Sequence, residues 1–226
     1  MCFSATVSYS AAAVLVPTGL YAVQQARRSR SPYWTWGLIP VFFGLQQAFE
    51  GRVWQELNAG NAHAAVTFAL GFHFFSHFLW LWWLGLSSYV VEPGNIRRMV
   101  IGGCTIFGAF AGTLVFSVML SHPEWMNIAI KEHSIVYKFS VPYRDSIHLP
   151  ITPAALYALT TLVPLFLSSH RLIKVFGLLV ALSSVLASAI YGYAYISVWC
   201  FFAALISLYL VYMVRSLAAK SIPVTV

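Results

Sequence analysis

Two histidines four residues apart, His73 and His77, and one glutamate, Glu50, are embedded in stretches that are otherwise apolar. Residues four apart share a helix face, so the histidines would present two imidazoles side by side. With a carboxylate from a neighbouring helix they make a three-ligand set (His73, His77, Glu50) for zinc or another imidazole-preferring divalent metal, with a fourth position left for water. Water held in that way is acidic enough to serve as the nucleophile of a hydrolysis. Gln46, Gln47, Glu50 and Trp54 are spaced three and four apart and form one stripe; Ser76 lies beside the histidines and Trp80 one turn beyond them. The same residues suit a pocket for a small molecule, a lipid or an ion, a proton relay, or a hydrogen-bonded polar core. The zinc-protease motif H-E-x-x-H is not met, because Phe74 stands where its glutamate would be.

The elements that must position these residues are transmembrane. The chain has 226 residues, 60% hydrophobic and 8% charged, against about 25% charged in soluble domains. Several apolar runs are long enough to cross a hydrocarbon core of roughly 30 Å. Reading them between polar breaks predicts an all-α, polytopic fold of seven transmembrane helices, near 6–26, 33–54, 64–91, 99–120, 152–168, 173–194 and 197–215. The whole chain, 1–226, reads as one domain.

Basic residues set the direction. Arg27, Arg28, Arg30, Arg97, Arg98, Arg171, Lys174, Arg215 and Lys220 all fall in alternate connections or after the last span. Positive charge collects on the cytoplasmic side, which places the N-terminus outside and the C-terminus in the cytoplasm. The net charge of +7 is thereby explained by topology, with no nucleic-acid partner implied. Trp34, Trp36, Trp82 and Trp83 then fall near the cytoplasmic interface, where aromatic belts form. The first span has its basic flank after it and reads as a retained helix.

Packing signals accompany the spans. Gly108 and Gly112 in span four, and Gly177, Ala181, Ser184, Ser188 and Gly192 in span six, are small-residue stripes of the kind that let backbones approach. Cys2, Cys104 and Cys200 show no metal or redox spacing and read as ordinary small residues. The outer loop 121–150 is much longer than the other connections. Pro123 marks a helix start within it, and Tyr137, Phe139, Val141 and Tyr143 alternate as in an extended segment, so this loop is expected to cap the bundle.

Span two runs outward and span three inward, so at 1.5 Å per residue His73 should lie at the depth of Gln46, with Glu50 shallower and His77 deeper. Helices joined by a short loop pack together. Ionisable groups at such depth are expensive and mark function, so Gln46, Gln47, Glu50, His73 and His77 are expected to line one outer-half cavity, with Trp54 and Trp80 at its margins. Tyr191, Tyr193 and Tyr195 could line the same cavity.

Two stretches, "MCFSATVSYSAAAVLVPTGLY" and "IPVFFGLQQAFEGRVW", resemble an uncharacterised family of bacterial multipass membrane proteins. That family opens with Met-Cys-Phe-Ser-Ala and carries Gln-Gln-x-x-Glu-Gly in its second hydrophobic segment. The resemblance covers about the first quarter of the chain. It implies a bacterial inner-membrane protein and no particular activity, and its pattern does not include the span-three histidines.

The leading expectation is a membrane protein whose outer-half cavity binds a small molecule, lipid or ion, as a sensor, carrier or accessory subunit. The first rival is a metal-dependent hydrolase of a lipid-like substrate, with zinc as cofactor. The second is a structural subunit whose polar stripe pairs with another chain or a further copy.

Overall fold

The first helix, α1 (Ala5–Arg28), begins where the Ser4 hydroxyl accepts from the Val7 amide at 3.3 Å, satisfying one of the donors that every helix start leaves free. It ends on Arg27 and Arg28, whose charge suits the carbonyl end of the helix dipole. In this computed structural model residues 4–140 and 153–220 are described. Met1, Cys2 and Phe3, and the expected loop positions Val141 and Tyr143, lie outside them.

α2 (Trp34–Asn58) returns antiparallel to α1, and the chain reverses again through Gly60 at φ 73°, a left-handed position that glycine takes without strain. Asn61 then caps α3 (Ala62–Phe74), accepting from the Ala64 amide. A π-helical turn, Phe75–Leu79, leads into α4 (Trp80–Val91), and α5 (Asn95–Ser121) follows. Past residues 122–152 come α6 (Pro153–Tyr157), another π-turn (Ala158–Leu162), α7 (Val163–Leu167), α8 (Arg171–Tyr191), α9 (Tyr195–Ile206) and α10 (Leu208–Lys220).

Four stretches, Ala5–Arg28, Ala62–Val91, Asn95–Ser121 and Arg171–Leu217, are long and apolar enough to cross a membrane. Their outward faces fit that medium. Ile106, Phe110 and Leu114 on α5, and Leu178, Leu182, Leu186 and Ile190 on α8, are all more than half exposed. Contiguous apolar surface of this extent belongs in hydrocarbon rather than water. The protein is thus a mainly helical membrane protein.

A departure from an all-α chain lies between α5 and α6. Pro123–Trp125 forms only a single 3-10 turn where a helix was expected, and β1 (Met126–Lys131) pairs antiparallel with β2 (Ser134–Phe139), Met126 opposite Phe139. The two loop residues, Glu132 and His133, have φ of 47° and 59°. Positive φ at both positions is the hairpin turn whose twist matches that of the strands. This end of the bundle is called the hairpin end below, and the opposite one, with Arg27, Arg28, Arg97 and Arg171, the arginine end.

Packing is organised by glycine. Gly37, Gly44 and Gly51, seven residues apart, all turn to α1, where an added Cβ would collide with Val23, Val16 and Tyr9. A seven-residue period keeps a single helix face on one partner. Its consequence is that Gln46, Gln47 and Glu50, on other faces of α2, are turned into the bundle and away from α1. Gly108 and Gly112 seat α5 against Leu81 and Phe78 in the same way. The stripe on α8 behaves otherwise: Gly177 meets Leu165, but Gly192 has nothing within 4 Å, and Ser184 and Ser188 border open space. Small residues there leave a gap instead of closing one. Trp36 also departs from expectation, since it is fully buried and its indole donates to the Ser87 carbonyl at 3.0 Å.

Candidate functional site

The polar stripe of α2 is entirely buried: Gln46, Gln47 and Glu50 have no exposed surface and Trp54 almost none. Both Glu50 oxygens are engaged. The Ser197 hydroxyl of α9 donates to Oε1 at 2.6 Å, and Gln47 Nε2 donates to Oε2 at 3.1 Å. One turn nearer the arginine end, Gln46 Oε1 accepts from the Trp80 indole at 2.9 Å, and that indole stacks on Phe43 with ring centres 4.1 Å apart. The stripe therefore ties α2 to α4 on one side and to α9 on the other.

The histidines form a second group. His73 Nδ1 and His77 Nδ1 are 3.1 Å apart, and the Ser76 hydroxyl lies 3.2 Å from the first and 2.8 Å from the second. Ser76 and His77 belong to the π-turn Phe75–Leu79, a local widening often found at functional sites. Above His73 sits Tyr137 of β2, edge-on to its ring at 4.7 Å and stacked on Phe72 at 5.1 Å. Burial, with Glu50 and Cys200 close by, pushes the Tyr137 phenol well above its usual range. The hairpin thus reaches into the same region as Glu50.

The antiparallel register explains which expected neighbours meet. Gly71 lies against Phe49 and Trp80 against Phe43, so His73 falls between the levels of Gln47 and Glu50 rather than at Gln46. Yet Glu50 points to α9, while the imidazoles point to one another and to Ser76. His73, His77 and Glu50 do not converge, and among the described residues no group of three His, Cys, Asp or Glu side chains is close enough to hold a metal ion. Trp54 is also set apart, packed with Ala69, Met119, Met126 and Ile135 under the hairpin. Tyr191 and Tyr193 pack with Val136 and Ala187; Tyr195 lines the cleft described next.

Of the two histidines, His77 is the one that meets open space. A cleft of about 830 Å³ runs between the two π-turns, α8 and α9, bordered by Ser76, His77, Thr161, Ser188, Trp199 and Cys200 among others. Ligand cavities are typically about 300–1,000 Å³. Among the described residues His77 has only Nδ1 partners, which leaves Nε2 free of protein hydrogen bonds. The second π-turn is stabilised by its own threonines: Thr160 donates to the Leu156 carbonyl and Thr161 to that of Tyr157.

Several buried polar atoms have no partner among the described residues. They include Gln46 Nε2, Gln47 Oε1, Trp54 Nε1, the Tyr137 hydroxyl and Trp199 Nε1, with the hydroxyls of Thr35, Ser87 and Ser88 nearer the arginine end. Leaving such a group unpaired costs about 1–3 kcal/mol. Water or a ligand is their natural complement.

Sequence reading missed Ser197 and undervalued Cys200 and Tyr137. A serine in the apolar run "YISVWCFF" was the available signal for the first, and the alternation of the hairpin strand for the last.

A family model described as a family of unknown function, DUF6629, matches residues 1–223. No curated protein and no solved structure matches the chain.

Proposed function

We propose, from the premise that this chain belongs to the DUF6629 family of unknown function, that it is a ligand-binding integral membrane protein whose site is the cleft beside His77. The observation that carries this reading is the cleft itself: about 830 Å³, floored by buried Ser76 and half-buried His77, whose imidazole keeps one nitrogen free of bonds to the described residues. Gln46, Gln47 and Glu50 are buried outside its lining, and Glu50 is joined through Ser197 to the helix that supplies Trp199 and Cys200. Through that bond Glu50 shapes the wall of the cleft, and Trp80 braces the stripe. Binding of this kind serves a sensor, a carrier or an accessory subunit.

The seven-span reading supplies the orientation. Besides the four long apolar stretches, α2 is made less apolar by its own polar stripe, and α6 to α7 form a shorter apolar rod interrupted by a π-turn. α9 and α10 together extend past α8 as a further rod. Counting these separately gives seven, with the arginine end cytoplasmic by the positive-inside rule and the hairpin end outside, in the inner membrane of a bacterium.

Small molecules released from the purified protein by solvent extraction test the site. The expected result is one species near stoichiometric with the chain and depleted in Ser188→Trp, which fills the cleft. A profile identical in wild type and variant would sink the reading. Elemental analysis after zinc loading runs alongside, and one zinc per chain would favour the hydrolase instead.

A further inference from the structure

The lining of the cleft restricts what can occupy it. We infer that it takes a flat, uncharged ring bearing carbonyl groups and an apolar tail, the chemistry of an isoprenoid quinone; this rests on the binding-cleft reading above. The first argument is charge. No Asp, Glu, Lys or Arg is among the described residues lining the cleft, so a phosphate, carboxylate or ammonium would be desolvated with no counter-charge, at a cost of several kcal/mol. A neutral ligand avoids that cost.

The second argument is hydrogen-bond polarity. Trp199 borders the cleft with its ring, while its indole N–H is buried out of reach of solvent and has no partner among the described residues. The two histidine Nδ1 atoms at 3.1 Å share one proton. When His73 holds that proton, His77 is the Nε2–H tautomer and a donor; when His77 holds it, Nε2 is an acceptor. Ser184 and Tyr195 satisfy each other at 2.6 Å. A carbonyl, an acceptor with no proton of its own to place, pairs with the first of these tautomers.

Shape and access complete the case. Tyr195 and Trp199 are stacked at 5.4 Å, and Tyr157 meets Trp199 edge-on at 5.0 Å, giving an aromatic wall for a planar ring. Val185 lines the cleft and is also 65% exposed, between the exposed Leu182 and Leu186. The mouth therefore opens among lipid-facing side chains, and its occupant arrives from the hydrocarbon with its tail trailing outward.

The test loads wild-type protein in phosphatidylcholine nanodiscs with decylubiquinone, oleate, oleyl alcohol or dioleoylglycerol and measures what stays bound. Gly192→Leu adds a side chain where nothing lies within 4 Å, so it narrows the cleft with little threat to folding. His77→Phe removes the imidazole that borders the cleft, and Ile106→Ala, on the lipid-facing surface, is the control. Wild type should retain decylubiquinone in preference to the other three, with retention falling about tenfold in both cleft variants, the scale of one lost hydrogen bond or filled subsite, and unchanged in Ile106→Ala. If Gly192→Leu expels oleate, the alcohol or the diacylglycerol while decylubiquinone binding is weak and insensitive, the quinone assignment is overturned and the binding cleft stands. If Gly192→Leu alters retention of none of the four, the cleft reading falls with it.

Discussion

Glu50 and Glu92 are both buried, one in the middle of the bundle near the hairpin end and the other where α4 stops at the arginine end, and their surroundings differ in kind. Glu92 accepts from the Ser169 amide at 2.7 Å, the Ser169 hydroxyl at 2.5 Å and the Gly94 amide at 3.4 Å. Arg97 donates to the same Ser169 hydroxyl, and His170 lies 2.9 Å from the Val91 carbonyl and within hydrogen-bond distance of Tyr33. None of these groups is among the buried atoms without a partner. Glu50 has two donors, and among the described residues five orphaned atoms share its stripe or its hairpin cover. A closed network clamps two loops together; an open one has capacity left for something that is not protein.

The comparison predicts its largest effect at the closed end. Glu92→Ala removes the shared acceptor and strands the Ser169 amide, so stability should fall by about 3 kcal/mol, read as a lower melting temperature in detergent. Acid should act on the same network without mutation. Burial alone would raise the Glu92 carboxyl, but the bonds from Ser169 and Gly94 outweigh it and hold the group below its usual 4.5. A depressed value contributes stability that is complete above about 4.5 and lost as pH falls through the folded value. Glu92→Gln should flatten the melting temperature below that point; an unchanged acid slope would mean that Glu92 is not the clamp.

At the open end effects should be smaller. Ser197→Ala leaves Glu50 Oε1 without its donor and should cost about 1–2 kcal/mol, less if water enters to replace the hydroxyl. Glu50→Gln keeps the shape and the bond from Ser197, so its stability should change by less than about 1 kcal/mol, while ligand retention shifts because the wall has changed polarity. A loss as large as that of Glu92→Ala would make Glu50 a second clamp and erase the distinction between the two regions.

How much of this was legible in the chain follows the same division. The polar stripe of α2 was visible because a buried glutamate and two glutamines stand out in an apolar run, and burial on one face follows from helical spacing alone. Direction was harder. That Gly37, Gly44 and Gly51 face α1 fixes where Glu50 points, but a seven-residue glycine period is audible only once the partner helix is known. The π-turn at Phe75–Leu79 leaves no mark in the sequence, although it carries His77 to the cleft. The small-residue stripe of α8 was read as a packing face, because spacing cannot tell a close approach from a gap. Glu92, a lone carboxylate between spans, gave no sign of the serines that hold it, which come from a loop 77 residues away.

The smallest expected effect separates the regions most sharply, because only its sign is at issue. The Tyr137 hydroxyl is buried over His73 with no partner among the described residues, so Tyr137→Phe removes a desolvated group and breaks no bond to any of them. Deleting a hydroxyl that makes a good buried bond typically costs about 1 kcal/mol, whereas deleting an unsatisfied one is neutral or stabilising. The ligand-free protein should therefore melt at the same temperature or slightly higher as the phenylalanine variant. At the arginine end Tyr33→Phe is the matched control, since Tyr33 bonds His170 and its loss should lower the melting temperature. If both variants lost stability equally, a water or ligand would already satisfy Tyr137, and melting the two proteins after exhaustive extraction with organic solvent and refolding into fresh nanodiscs would show which, because a bound water returns and an extracted ligand does not.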